Sequence, residues 1–187
     1  TTLAGTGDLH QFSNRFFENL AYDMYGQSIG HNIRKTIRDL QAPIYSLKFI
    51  SLYSALHADP AIVINSFPKP DYRLTQPDIS FIPKDVTDEL DSFTVRVRAV
   101  NIAKAITDSM MVELAHTLPD GSIENYLQRI PSPLFKTDVD FRIPVDRVNG
   151  IGLNYFTATL DAYNEIDELN ESNNLATTSL LIKSADL

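Results

Sequence analysis

The chain has 187 residues, 43% of them apolar, with 24 acidic against 16 basic side chains and a formal net charge of −8. That is enough apolar content for an ordinary packed core in one large domain or two small ones, and the acidic balance offers no basic stripe for a nucleic-acid backbone. There is no cysteine, which excludes disulfide frameworks, thiolate zinc sites and cysteine nucleophiles from this chain, and no apolar run approaches the roughly 20 residues of a membrane span.

The first seven residues carry neither a basic nor an apolar leader region, and the first residue is not Met, so the expected molecule is a processed or partial chain. Phe12, Phe16, Leu20 and Met24 then recur near helical spacing, with Gly26 placed to close the helix. Ser28 is positioned to cap a second helix whose stripe is Ile29, Ile33, Ile37 and Leu40, with Arg34, Lys35 and Arg38 on the solvated face and Pro43 as the stop. Residues 46–56 are apolar nearly all round, as in a helix packed on several sides. After Asp59-Pro60, the run Ala61-Ile-Val-Ile64 predicts a short buried strand. Such a strand needs neighbours on both edges, and residues 1–66 supply too few to close an α/β layer.

Residues 67–77 lie within a segment that holds three prolines in twelve residues and has no period, which predicts a linker. From Asp78 onward the period is two. Ile79-Ser-Phe-Ile82 opens the series, and Phe93, Val95, Val97 and Ala99 alternate with Thr94, Arg96 and Arg98. Met110, Val112, Leu114 and Leu118 form the next inner face, ahead of a Pro119-Asp-Gly-Ser turn. A weaker strand over 122–130 precedes Pro131-Ser-Pro133. Val139, Phe141, Ile143 and Val145 follow, then Phe156, Ala158, Leu160 and Ala162, and 176–183 closes the set. About seven strands over 78–187 predict an immunoglobulin-like β-sandwich. The fold class expected for the whole chain is therefore α+β, helices first and an all-β domain second.

Between the last two strands lies Asp161-Ala-Tyr-Asn-Glu-Ile-Asp-Glu-Leu-Asn-Glu-Ser-Asn-Asn174, with four amides and five carboxylates in fourteen residues. Asp161, Asn164, Asp167 and Glu168 supply hard oxygen donors, so calcium is the candidate cofactor here. The spacing departs from an EF-hand loop and lacks its glycine. The competing reading is structural: Asn and Asp favour turns and bond to nearby backbone, and Ile166 and Leu169 can tuck under the sandwich edge. His116 shares a face with Val112 and Leu114 and reads as a core histidine rather than a ligand. His57 beside Asp59 is a turn-ordering residue, because adjacency in sequence gives no triad geometry.

The sandwich resembles the bacterial cell-adhesion-related domain known as CARDB. The resemblance runs through Pro77-Asp-Ile, Val97-Arg-Ala-Val-Asn-Ile-Ala, Leu118-Pro-Asp-Gly121 and, above all, the 161–174 string. It implies an extracellular module, secreted or on the bacterial cell surface, with a surface protein or glycan as partner. Residues 1–66 resemble the end of the catalytic domain of gingipain-type cysteine peptidases, whose fold is caspase-like. This rests on Thr2-Leu-Ala-Gly-Thr-Gly7, Asn14-Arg-Phe-Phe-Glu-Asn-Leu20, Ser28-Ile-Gly30 and Ala58-Asp-Pro-Ala61, where Ala58 replaces the usual glycine. It implies that the catalytic His and Cys lie upstream, that the missing first part of the peptidase domain is a partner, and that no residue of this chain is catalytic. It also implies that the segment after the first strand, with Thr6, Gly7, Asp8 and His10, borders the substrate pocket. The expected function is the non-catalytic C-terminal portion of a secreted peptidase. The alternative is a free-standing adhesion or ligand-binding module.

Overall fold

The computed structural model describes residues 6–41, 59–64 and 66–185. The chain divides into two compact units, 1–67 and 68–187.

In the first unit, helix α1 runs Thr6–Glu18 and widens into a single π turn, Asn19–Asp23, closed by Met24 N donating to Asn19 O at 2.7 Å. Gly26 follows at φ 74°, a left-handed position that suits glycine. Helix α2 spans Ile29–Gln41, and Ser28 Oγ accepts from His31 N, as expected of an N-cap. The two helices meet through polar groups, which the apolar stripes did not foretell. Asn19, Asn32 and Thr36 are fully buried, while Ile29, Ile33 and Ile37 are only half-buried. Asn19 Nδ2 donates to Thr36 Oγ1 (3.0 Å), and Asn32 Nδ2 donates to Phe16 O (3.2 Å). Asp39 takes Arg15 and Lys35. Burial raises the Asp39 pKa, but the bonds from Lys35, Arg15 and Asn19 outweigh it and hold the carboxyl below its ordinary range.

Two expectations for this unit are corrected. Residues 61–64 do not form a buried strand: Val63 makes an isolated antiparallel bridge to Ser28, and Ile62, Val63 and Ile64 are 46%, 45% and 38% exposed. Among the described residues no ladder flanks this apolar run, so there is no sheet there for it to enter. Thr6 and Gly7 belong to α1 rather than to the small-residue strand that the resemblance carried by Thr2-Leu-Ala-Gly-Thr-Gly7 implied. The helix expected over 46–56, and His57, lie outside the described residues.

The second unit is a sandwich of two antiparallel sheets. Its strands are β1 (Tyr72–Arg73), β2 (Ile79–Ile82), β3 (Ser92–Asn101), β4 (Ser109–Thr117), β5 (Ile123–Pro131), β6 (Lys136–Pro144), β7 (Gly152–Thr159) and β8 (Leu175–Ile182). In one sheet β3 is central, with β1 and β2 sharing one edge and β6 on the other. The second sheet has the order β5-β4-β7-β8. An immunoglobulin-like sandwich is thus what the period-two pattern builds. Phe93, Val95, Val97 and Ala99 from β3, Met110, Val112 and Leu114 from β4, Val139, Phe141 and Ile143 from β6, and Phe156 and Ala158 from β7 are all within the core.

Phe156 sits at the centre of an aromatic cluster that joins the sheets. Its ring is 5.2 Å from Phe81 and 6.0 Å from Phe93, both edge-to-face, and it stacks on His116 at 4.4 Å. The outer face of β3 and β6 is tied by cross-strand ion pairs, Arg96 to Asp140 and Arg98 to Asp138. Such exposed pairs add only fractions of a kcal/mol each.

The segment expected as a linker is partly built into the sandwich. Tyr72 is fully buried, Leu74 is 4% exposed, and Gln76–Asp78 forms a 3-10 turn capped through Thr75 and Asp78. Without a period to display, these residues gave no strand signal.

Candidate functional site

The acidic loop 161–174 is where half of the predicted site residues fall, and the sandwich uses it as a latch. Asp161 and Asn164 adopt left-handed backbone, φ 45° and 52°, which these two residue types tolerate best after glycine. The Asp161 carboxylate is buried and accepts Glu165 N (3.1 Å) and Ile166 N (2.8 Å). Its own carbonyl accepts Asn164 N (2.8 Å). The result is a tight turn that drops Ile166, 5% exposed, into the core. Leu169 stays 40% exposed and contributes its N–H to Pro70 O (2.9 Å) instead.

Glu168 reaches the other way, onto the first strand of the sandwich. It is 5% exposed, and it accepts Tyr72 N at 2.6 Å and Asn174 Nδ2 at 2.8 Å. Burial pushes its pKa up to about 7; the two hydrogen bonds oppose the rise, and the charges of Glu171 and Asp161 add to it. Around it, Leu74 N donates to Asn173 O, Asn173 Nδ2 to Asp71 Oδ1 and Lys69 Nζ to Asp167 Oδ1 at 2.5 Å. Arg129 clamps Glu165 with two bonds of 2.9 and 2.8 Å. The loop therefore stitches 69–74 to the start of β8.

Three of the four calcium candidates are engaged by other protein groups. Asp161 and Glu168 spend both oxygens on N–H groups, and Asp167 is paired with a lysine. Among the described residues no group of three or more His, Asp or Glu side chains is arranged to hold an ion. The amide oxygens Asn173 Oδ1 and Asn174 Oδ1 are buried without a protein partner. A thermal melt with and without chelator is expected to give the same midpoint, because an ion bound only to the folded state would raise it. A drop on chelation would assign a metal to the loop.

Thr6, Gly7, Asp8 and His10 occupy the first turns of α1. Gly7 and His10 are exposed, and His10 Nε2 shares a bond with Asn14 Nδ2 at 3.1 Å. The start of α2 meets residues 60–62. Ile29 N donates to Ile62 O and Gly30 N to Pro60 O (2.8 and 2.9 Å), and a Cβ at Gly30 would lie 2.8 Å from the Pro60 Cβ.

Asn154, the buried partner of His116, escaped sequence reasoning. Asn154 is fully buried and donates both amide hydrogens, to Gly150 O (2.8 Å) and Gly152 O (2.9 Å). Its Oδ1 is then left as acceptor for His116 Nε2 at 2.8 Å, which places the proton on that nitrogen. His116 is a core histidine, as its position on the inner face of β4 implied. The signal for Asn154 was its place on the same face as Phe156, two residues on.

No family model matches the chain, and no curated protein matches it significantly. Several solved structures are similar to it, among them the following three. One is a crystal structure of the CARDB domain of a Pyrococcus furiosus protein in complex with di-metal ions, at 22% identity over 68% of this chain and 99% of that one, TM-score 0.47. The same domain's solution structure aligns at 22% identity over 62% and 96%, TM-score 0.44. A domain of a Methanosarcina acetivorans protein assigned to the cell surface aligns at 20% identity over 61% and 92%, TM-score 0.40.

Proposed function

We propose that residues 68–187 are a non-catalytic, CARDB-type spacer of a secreted or cell-surface protein, joined to the end of a gingipain-like peptidase domain. The observation that carries this reading is the path of the chain through the sandwich. Tyr72 and Leu74 are held by Glu168 and Asn173, at the pole where β7 gives way to β8. Lys183 is held by Val86 and Asp88, at the opposite pole beside Gly152. The module is threaded from pole to pole, so its first strand and the end of its last are anchored at opposite ends of the sandwich. The loop signature fits the same role, since its carboxylates are engaged in closing the first pole. Bracing of the catalytic domain and attachment to a surface protein or glycan are both uses of such a spacer.

Extending the gene upstream of Thr1 tests the peptidase half. The expected product carries a His-Gly context and a downstream Cys, shows thiol-dependent peptide hydrolysis, and loses thermal stability or cell-surface retention when 68–187 is deleted. An upstream region lacking both residues would overturn the peptidase assignment and favour a free-standing adhesion module.

A further inference from the structure

Three of the four sheet edges in the sandwich carry the devices that keep strands from pairing with a neighbour. The β5 edge has Glu124, Arg129 and Pro131; β6 has Lys136, Asp138, Asp140, Arg142 and Pro144; β2 is four residues long and ends at Pro83. The fourth edge, β8, reads Leu-Ala-Thr-Thr-Ser-Leu-Leu-Ile, with no charge, proline or glycine. Its free side can be read from its end. Lys183 turns both backbone groups away from β7, N–H to Val86 O (3.2 Å) and C=O to Asp88 N (3.1 Å). Antiparallel strands alternate the direction of these groups, so Leu175, Thr177, Ser179 and Leu181 also point theirs outward. Among the described residues none bonds to them. A groove lined by Pro77, Ile79, Phe81, Lys84 and Thr178 runs alongside, leaving the edge accessible.

We propose that two copies of this chain pair through β8, antiparallel about a two-fold axis at Thr178. The edge is its own complement. About that axis Leu175 faces the partner's Leu181, Thr177 faces the partner's Ser179, and Ala176 faces the partner's Leu180. The outward-pointing residues pair only with one another, so each facing pair exchanges two bonds, about eight between the chains. No like charges oppose, and the apolar pair recurs at both ends, as an isologous contact requires. The two four-stranded sheets become one of eight strands. On its outer face Leu153, Tyr155, Leu175 and Leu181, between 45% and 56% exposed in one copy, line up across the join.

Sedimentation of the whole chain over a range of concentrations tests this. The expected result is a reversible dimer whose dissociation constant rises at least tenfold in Ser179→Pro, which removes an outward N–H and no bond within the chain. Thr177→Lys is the second variant: alone it should dissociate the dimer, and mixed with Ser179→Glu it should give a heterodimer. A wild-type chain that is monomeric at all concentrations overturns the proposal. So does a dimer that survives both single variants with unchanged affinity, or association only with extended segments of other proteins.

Discussion

Replacing Glu168 with glutamine is expected to flatten the stability of the sandwich between about pH 4.5 and 7, leaving the fold intact. The wild-type carboxyl titrates near 4.5 in the unfolded chain and is pushed up to about 7 when folded. Across that window the folded state binds more protons than the unfolded one, so stability falls as pH rises and levels off above the folded value. The full effect of such a shift is on the order of 3 kcal/mol. The carboxyls held low by their partners, such as Asp138 beside Arg98 and Asp140 beside Arg96, lose stability only on acidification, so the difference between wild type and Glu168→Gln isolates this group. Glutamine fits because its Oε1 can still accept Tyr72 N, while Asn174 can turn its unpartnered Oδ1 toward the new amide. Glu168→Ala strands two buried donors at a cost of roughly 1–3 kcal/mol each. Denaturant midpoints at pH 5 and 8 check both variants; equal slopes for wild type and Glu168→Gln would show that Glu168 does not set the dependence.

Phe156→Ala should be the most destabilising single truncation in the second unit, at about 3–5 kcal/mol. The ring is fully buried and contacts Phe81 and Phe93 across the sandwich as well as His116 beside it. Its loss opens a cavity and leaves His116 without the ring stacked on it. Phe17→Ala, at a position 62% exposed, should fall within about 0.5 kcal/mol of wild type. Urea unfolding at fixed pH measures both. A Phe156→Ala cost no larger than that of Phe17→Ala would remove the aromatic cluster from its place at the centre of the core.

Much of the sandwich was legible because each strand exposes one face. Strict alternation in β3, β4, β6 and β7 announces both the strands and their inner residues. The edge strand β5 was weaker because it buries little beyond Ile130. Two-residue β1 was invisible, since Tyr72 is buried by long-range contact with a loop nearly a hundred positions away. For the same reason the sequence offered Glu168 as a candidate calcium ligand without its Tyr72 partner: charge and spacing say nothing about which backbone N–H a carboxylate will meet. Asp161 was more legible, as its left-handed turn is what Asp and Asn in a hairpin connection suggest. In the first unit the apolar stripes located α1 and α2 but not their contact, which runs through Asn19, Asn32 and Thr36.

The pole-to-pole path also sets a length. Strands of eight to ten residues rise about 3.3 Å per residue, so the sandwich separates its two poles by roughly 30 Å. An unfolded tether of the same 120 residues would sample a broad spread of separations. Folded, it behaves as a ruler, and a group attached at one pole has its distance from the other set by strand length.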